Sequence, residues 1–164
     1  MPEYKVHYPQ FDVMREEEHW DDHTREIVVR RLKSEAFFSY QFFTEQEAKT
    51  ISRLCAILLD EQRKPVIGYV VHHFDTTLKA SIGESQRKMG LPKHSVMIRE
   101  GLAELDRVCE QFHNGKFTDL DETEQVQVVN QLMQGNFPEI QGQSQIPMKE
   151  FINKILTDTV SAYY

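Results

Sequence analysis

The chain has 164 residues with 40% hydrophobic and 27% charged side chains, enough apolar material for one core and too much for a disordered segment. Seven glycines and six prolines are few for a loop-rich β fold, and two cysteines are too few for a disulfide scaffold. The formal net charge of −7, with no basic cluster beyond Arg30-Arg31-Leu32-Lys33, argues against a nucleic-acid partner.

Charges run through the first 30 residues, including Glu3, Lys5, Asp12, Arg15 and Glu16-Glu17-Glu18, so no apolar signal core or twin-arginine leader is expected there. The longest apolar runs, Leu54–Leu59 and Val66–Val71, fall far short of the ~20 residues that span a bilayer. Cys55 and Cys109 sit at helical spacing among apolar residues, as reduced core thiols do. A cytoplasmic protein with no transmembrane segment is the expectation, peripheral at a membrane only through a partner.

In chain order, residues 1–10 read as an extended arm carrying Tyr4 and Tyr8. From Asp12 to Lys33 the pattern is helical but highly charged, with Val13, Trp20, Ile27, Val28 and Leu32 as its narrow apolar stripe. Phe37-Phe38-Ser39-Tyr40-Gln41-Phe42-Phe43 follows, five aromatics in seven residues, to be buried in the core or against a partner. Thr44-Glu45-Gln46-Glu47 is a capping box opening a helix with Ile51, Leu54, Cys55, Leu58 and Leu59 on one face.

Pro65 suits the first turn of the next helix, with Ile67, Val70, Val71, Phe74 and Leu78 buried. Gly83 to Gly90 reads as a polar connection. Pro92 starts a helix carrying Ile98, Leu102, Leu105, Cys109 and Phe112 in register, stopped at His113-Asn114-Gly115. A second start signature at Leu120–Glu124 leads to Val126, Val129 and Leu132. Gln134–Pro147 reads as a Gln-, Gly- and Pro-rich connection, and the last helix carries Met148, Phe151, Ile152, Ile155, Thr159 and Tyr163.

No stretch alternates over six residues, so no strands are predicted. The expectation is an all-α bundle of five to six helices with an extended N-terminal arm. Residues 1–40 would form the arm and charged helix, and 41–164 the helical domain.

Two clusters carry metal-binding chemistry. His19 and His23 at i and i+4, with Glu16 one turn earlier, place two imidazoles and a carboxylate on one helical face, spaced to share an ion. The competing reading is a solvated acidic helix. His72 and Asp75, three apart on an apolar helix, form the second cluster, against which stands a hydrogen-bonded core histidine. No G-x-S-x-G elbow, Gly-rich phosphate loop or paired Glu-x-x-His framework supports nucleophilic, nucleotide or di-iron chemistry, so no catalytic residue and no cofactor is assigned to this chain.

Phe42-Phe43-Thr44-Glu45-Gln46-Glu47-Ala48, opening an apolar helix, resembles the start of the gluconate 2-dehydrogenase subunit 3 family. Ile98 to Asp106 resembles its central helix, Gly115-Lys116-Phe117 through Gln125 is similar to its following segment with one residue fewer before the Phe, and Phe151–Tyr164 is similar to its last helix. The resemblance spans residues 40–164 and rests on caps and core positions. It implies a small accessory subunit, without a cofactor of its own, of a membrane-associated dehydrogenase complex whose FAD sits in a separate large subunit. Members of such complexes usually carry a twin-arginine leader and a Gly/Pro/Tyr-rich tail, and this sequence departs from both. On that reading the partner is the flavin-dependent dehydrogenase large subunit, met by Trp20, Phe37, Phe38, Tyr40 and Phe42. The alternatives are a free-standing metal-binding protein using Glu16, His19, His23, His72 and Asp75, or a module forming a homo-oligomer through the N-terminal helix.

Overall fold

The computed structural model describes residues 18–33, 39–138, 140 and 146–164. These carry six α-helices and no strand, an all-α fold. The chain divides into two compact units, Met1–Phe37 and Phe38–Tyr164.

In the first unit, α1 spans Asp22–Lys33. The start expected at Asp12 is not where this helix begins. The Asp21 carboxylate accepts from the Thr24 N–H at 2.9 Å and from its hydroxyl at 2.7 Å, the geometry of an N-cap, so the helix opens one residue later. These hydrogen bonds also hold the Asp21 carboxyl below its usual range.

The second unit holds α2 (Glu45–Leu59), α3 (Lys64–Lys79), α4 (His94–His113), α5 (Glu122–Gln134) and α6 (Met148–Tyr163). The capping box at Thr44 is formed in both directions, with Glu47 N–H donating to the hydroxyl and the Glu47 carboxylate accepting from Thr44 N–H. Asp121 and Glu124 make the equivalent pair at α5. Three stops use left-handed residues, Asp60 after α2, Asn114 after α4 and Gly135 after α5. The N-cap residue of α4, Lys93, offers no side-chain bond.

Helix α6 is the common partner, packing against α2, α3, α4 and α5 with Phe151, Ile152 and Ile155 fully buried. At Gly101 of α4 the helices approach so closely that an added Cβ would lie 2.2 Å from the Phe151 ring. The Cys55 Sγ lies 3.3 Å from the Thr159 hydroxyl, joining α2 to α6. Burial pushes both thiols up to about 12, so they stay protonated and behave as core groups.

Three expectations need correction. Phe112, the penultimate residue of α4, is 53% exposed although it stands in register with Leu105, because it lies at the very end of the helix, beyond the Gly101–Phe151 contact where α6 crosses α4. On α5 the buried face is Gln125, Val128, Val129 and Leu132, and Val126 points outward. The connection after α5 is not simply polar, since Phe137 and Ile146 are buried and Ile140 packs on the core.

Candidate functional site: a groove beside helices α2 and α3

The segment 39–43 runs into α2, and one side chain fixes its path. Asp75, on α3 and 1% exposed, accepts from the N–H groups of Gln41 (2.7 Å), Phe42 (2.9 Å) and Phe43 (2.9 Å). These donors have no strand or helix partner of their own, and a buried carboxylate with three N–H bonds is satisfied without a counter-cation. Phe43 is thereby set into the core and Phe42 onto its edge. The Phe42 ring meets Phe43 edge-on at 5.0 Å, and the Arg99 guanidinium sits 4.4 Å above it. Arg99 also donates to the Phe42 carbonyl (2.5 Å) and to Glu47 (3.1 Å), tying α4 to the start of α2.

Beside this segment lies an open groove of about 890 Å³ between α2 and α3. Its apolar lining comes from Phe43, Ala48, Ala56, Ile67 and Gly68, with Ser52 between the two alanines. Ala48, Ser52 and Ala56 recur every four residues, so they form one low ridge along α2. Tyr40 stands at one edge, and burial beside the Asp75 charge raises its phenol, keeping it neutral.

The charged edge is Glu45, Lys49, Arg53, Glu61 and Lys64. Two of these are engaged within the fold. Arg53 donates to the Gln125 amide oxygen and to Glu122 at 3.0 Å. Glu61 accepts from the Arg63 guanidinium at 2.5 and 3.0 Å and from the Arg63 N–H at 2.8 Å, with the Tyr163 hydroxyl at 3.3 Å. Those hydrogen bonds hold the Glu61 carboxyl down at about 2. Among the described residues no ion pair involves Lys49 or Lys64.

The two metal-type clusters are placed differently from the sequence expectation. His19 precedes Asp21 and lies outside α1, whereas His23 lies within it, so the pair is not the i, i+4 pair of one helix face. The physical reason is the Asp21 cap, which starts the helix after His19. Glu16 lies outside the described residues, as do Phe37 and Phe38. His72 is half-buried on α3, one turn before Asp75, whose two oxygens face the backbone of 41–43. Among the described residues no group of three His, Cys, Asp or Glu side chains is placed to hold a metal ion. Trp20 is half-buried, Tyr40 lines the groove and Phe42 borders a small cleft with Val96 and Arg99.

Sequence reasoning passed over Gln125 and Asp106. The Asp106 carboxylate accepts from Phe117 N–H at 3.2 Å, and the buried Gln125 amide donates to the Phe117 carbonyl at 3.0 Å. Phe117 itself is fully buried. The Gly115–Gln125 segment is thus a plug pinned through both backbone polar groups of one residue, Phe117.

Fold and groove together define a small all-α helical bundle with an open cleft along α2. Residues 45–164 match the family described as gluconate 2-dehydrogenase subunit 3, and the chain belongs to that family. No curated protein and no solved structure matches the chain. Among the described residues no helix is long and apolar enough to cross a membrane.

Proposed function

We propose that the chain is a non-catalytic accessory subunit of a cytoplasmic flavin-dependent dehydrogenase, supporting the large subunit that holds the FAD. Family membership over residues 45–164 supports a subunit of this type of oxidoreductase complex. The observation that carries the reading is the groove. An apolar cleft of about 890 Å³ beside a rigidly pinned aromatic segment suits protein contact, since its polar groups sit at the edge. The aromatic run contributes Tyr40 and Phe42 to this region, and Trp20, Phe37 and Phe38 are proposed as further partner contacts.

The test is a pull-down of the tagged full chain from its native host, read by mass spectrometry and by flavin absorbance. A stoichiometric flavoprotein is the expected result, and its identity names the reaction. A chain recovered alone, with no flavin band, overturns the proposal.

A further inference from the structure

The sulfur atoms among the described residues differ sharply in what can reach them. Cys55 and Cys109 are fully buried, and burial keeps both thiols protonated, so neither presents a reactive thiolate. Met97 is buried in the core, and Met133 and Met148 are half-buried against it. Met89, in the connection between α3 and α4, is 102% exposed, so nothing of its own chain shields the thioether.

The backbone builds this exposure. Leu91 N–H donates to the Lys88 carbonyl at 3.2 Å, which closes a tight turn with Met89 and Gly90 as its central residues. Gly90 has φ +88°, the left-handed value that a type II turn requires at its third position. Met89 therefore stands at the corner of a defined turn. The first residue of that turn is tethered to α6, because the Lys88 ammonium donates to both carboxylate oxygens of Glu150 at 2.9 and 3.0 Å. The last residue, Leu91, is half-buried. Turn closure, tether and partial burial of Leu91 hold the corner outward, so the sulfur is presented by the fold.

We propose that Met89 is a reversible oxidation site at which the chain consumes hydroperoxides without loss of its fold. The Met89 sulfur lone pair attacks one oxygen of the hydroperoxide ROOH and the O–O bond breaks. Two electrons pass from sulfur to the peroxide, and the proton of the transferred OH goes to the departing oxygen. Thioether and ROOH thus become sulfoxide and ROH. The sulfoxide is polar and chiral, and at this corner it displaces no packing contact, whereas at Met97 it would enter the core. A methionine sulfoxide reductase reverses the step: two thiols of a dithiol reductant become a disulfide, the oxygen leaves as water and the thioether is restored. The site is independent of the accessory-subunit reading.

The experiment treats the full chain with dilute hydrogen peroxide near neutral pH, quenches at intervals and reads each sulfur by peptide mass spectrometry. Met89 sulfoxide should form at least ~10-fold faster than sulfoxide at Met97, and ahead of Met133 and Met148, with both cysteines unmodified. In urea the four rates should converge to within ~3-fold, because the order comes from the fold. Met89→Leu should abolish the early sulfoxide and leave the other three rates as in wild type. Protein oxidised at Met89 alone should unfold at the wild-type urea midpoint, and the two epimer-specific methionine sulfoxide reductases together should return its original mass. Oxidation of Met133, Met148 or a cysteine as fast as Met89 in the folded chain overturns the site. An order of rates that survives in urea overturns its structural basis. A lowered midpoint after oxidation at Met89 alone, or a sulfoxide that neither reductase removes, overturns the proposal of a tolerated, reversible step.

Discussion

The Asp75 carboxylate accepts a 2.9 Å hydrogen bond from the N–H of Phe43, a residue 32 positions earlier in the chain. Two further bonds, from Gln41 and Phe42, make this one side chain the acceptor for a whole turn of irregular backbone. The consequence is a fixed entry into α2: the capping box at Thr44 begins where Asp75 leaves off, and Phe43 joins the buried core that also holds Ile51 and Phe74. The groove inherits its edge from the same contact, since Ser39 and Tyr40 line it immediately upstream.

Replacing Asp75 therefore tests the entry segment directly. Asp75→Ala strands three N–H donors, two of them in part-buried surroundings, and should destabilise the fold by about 3–5 kcal/mol. Asp75→Asn keeps one carbonyl oxygen for Phe42 and Phe43 but sets an amide NH2 against Gln41, so about 1–3 kcal/mol is expected. Urea unfolding with unchanged slope is the measurement, and an Ala variant within experimental error of wild type would show that the segment is held by its aromatic packing instead.

The contact between Gly101 and Phe151 gives a second expectation. An alanine Cβ would sit 2.2 Å from the ring Cδ2 and 2.6 Å from Cε2, with the ring fully buried in the core. Helix propensity favours alanine here by about 1 kcal/mol, yet overpacking at this depth costs about 1–3 kcal/mol or more and should dominate. Gly101→Ala should unfold at lower denaturant concentration, and adding Phe151→Leu should recover part of the loss. Two additive single effects would exclude the steric account.

Much of the bundle was legible because its signals are local. The Thr44 box, the Asp121 box and the i, i+3, i+4 stripes of α2, α3, α4 and α6 are encoded within a few residues of where they act. The polarity of residues 12–33 was legible too, but the position of the first cap was not, because Asp12, Asp21 and Asp22 are each able to begin a helix. The groove was invisible for a different reason. Ala48, Ser52, Ala56 and Gly68 are small, unremarkable residues, and only the tertiary meeting of α2 and α3 shows the cleft they line. Asp75 misled in a similar way, since its spacing from His72 suggests a ligand pair while its actual partners lie 32 to 34 residues away.

His94 opens α4 with its ring buried and its Nδ1 without a hydrogen-bond partner among the described residues. Burial first, and then the Lys154 charge, lower its pKa from 6.5, with Arg87 acting in the same sense and Glu84 and Asp158 opposing. A histidine with a depressed native pKa binds fewer protons folded than unfolded. Stability is therefore intact above the unfolded value of 6.5 and declines as pH falls below it, levelling off beneath the native value. Unfolding free energy measured from about pH 7.5 to about pH 5 should fall for wild type and fall less for His94→Gln. Parallel curves would place the acid sensitivity elsewhere.

Glu61 predicts a second loss of stability further down the same acid limb of the pH profile. Its carboxyl ordinarily titrates near 4.5 and is held at about 2 by the Arg63 guanidinium and N–H, with the Tyr163 hydroxyl as a weaker donor. A depressed carboxyl contributes stability that is fully present above 4.5 and is lost progressively as pH falls toward 2. The bond network also joins the turn after α2 to the end of α6, because Tyr163 closes it from the last helix. Glu61→Gln removes the titrating group while preserving one acceptor oxygen for Arg63 or Tyr163. Wild type should lose its advantage over Glu61→Gln progressively below about pH 5, and the two unfolding curves should converge only as pH approaches about 2. An advantage that persists unchanged to the acid end would mean that the carboxylate acts through packing at the turn and not through its charge.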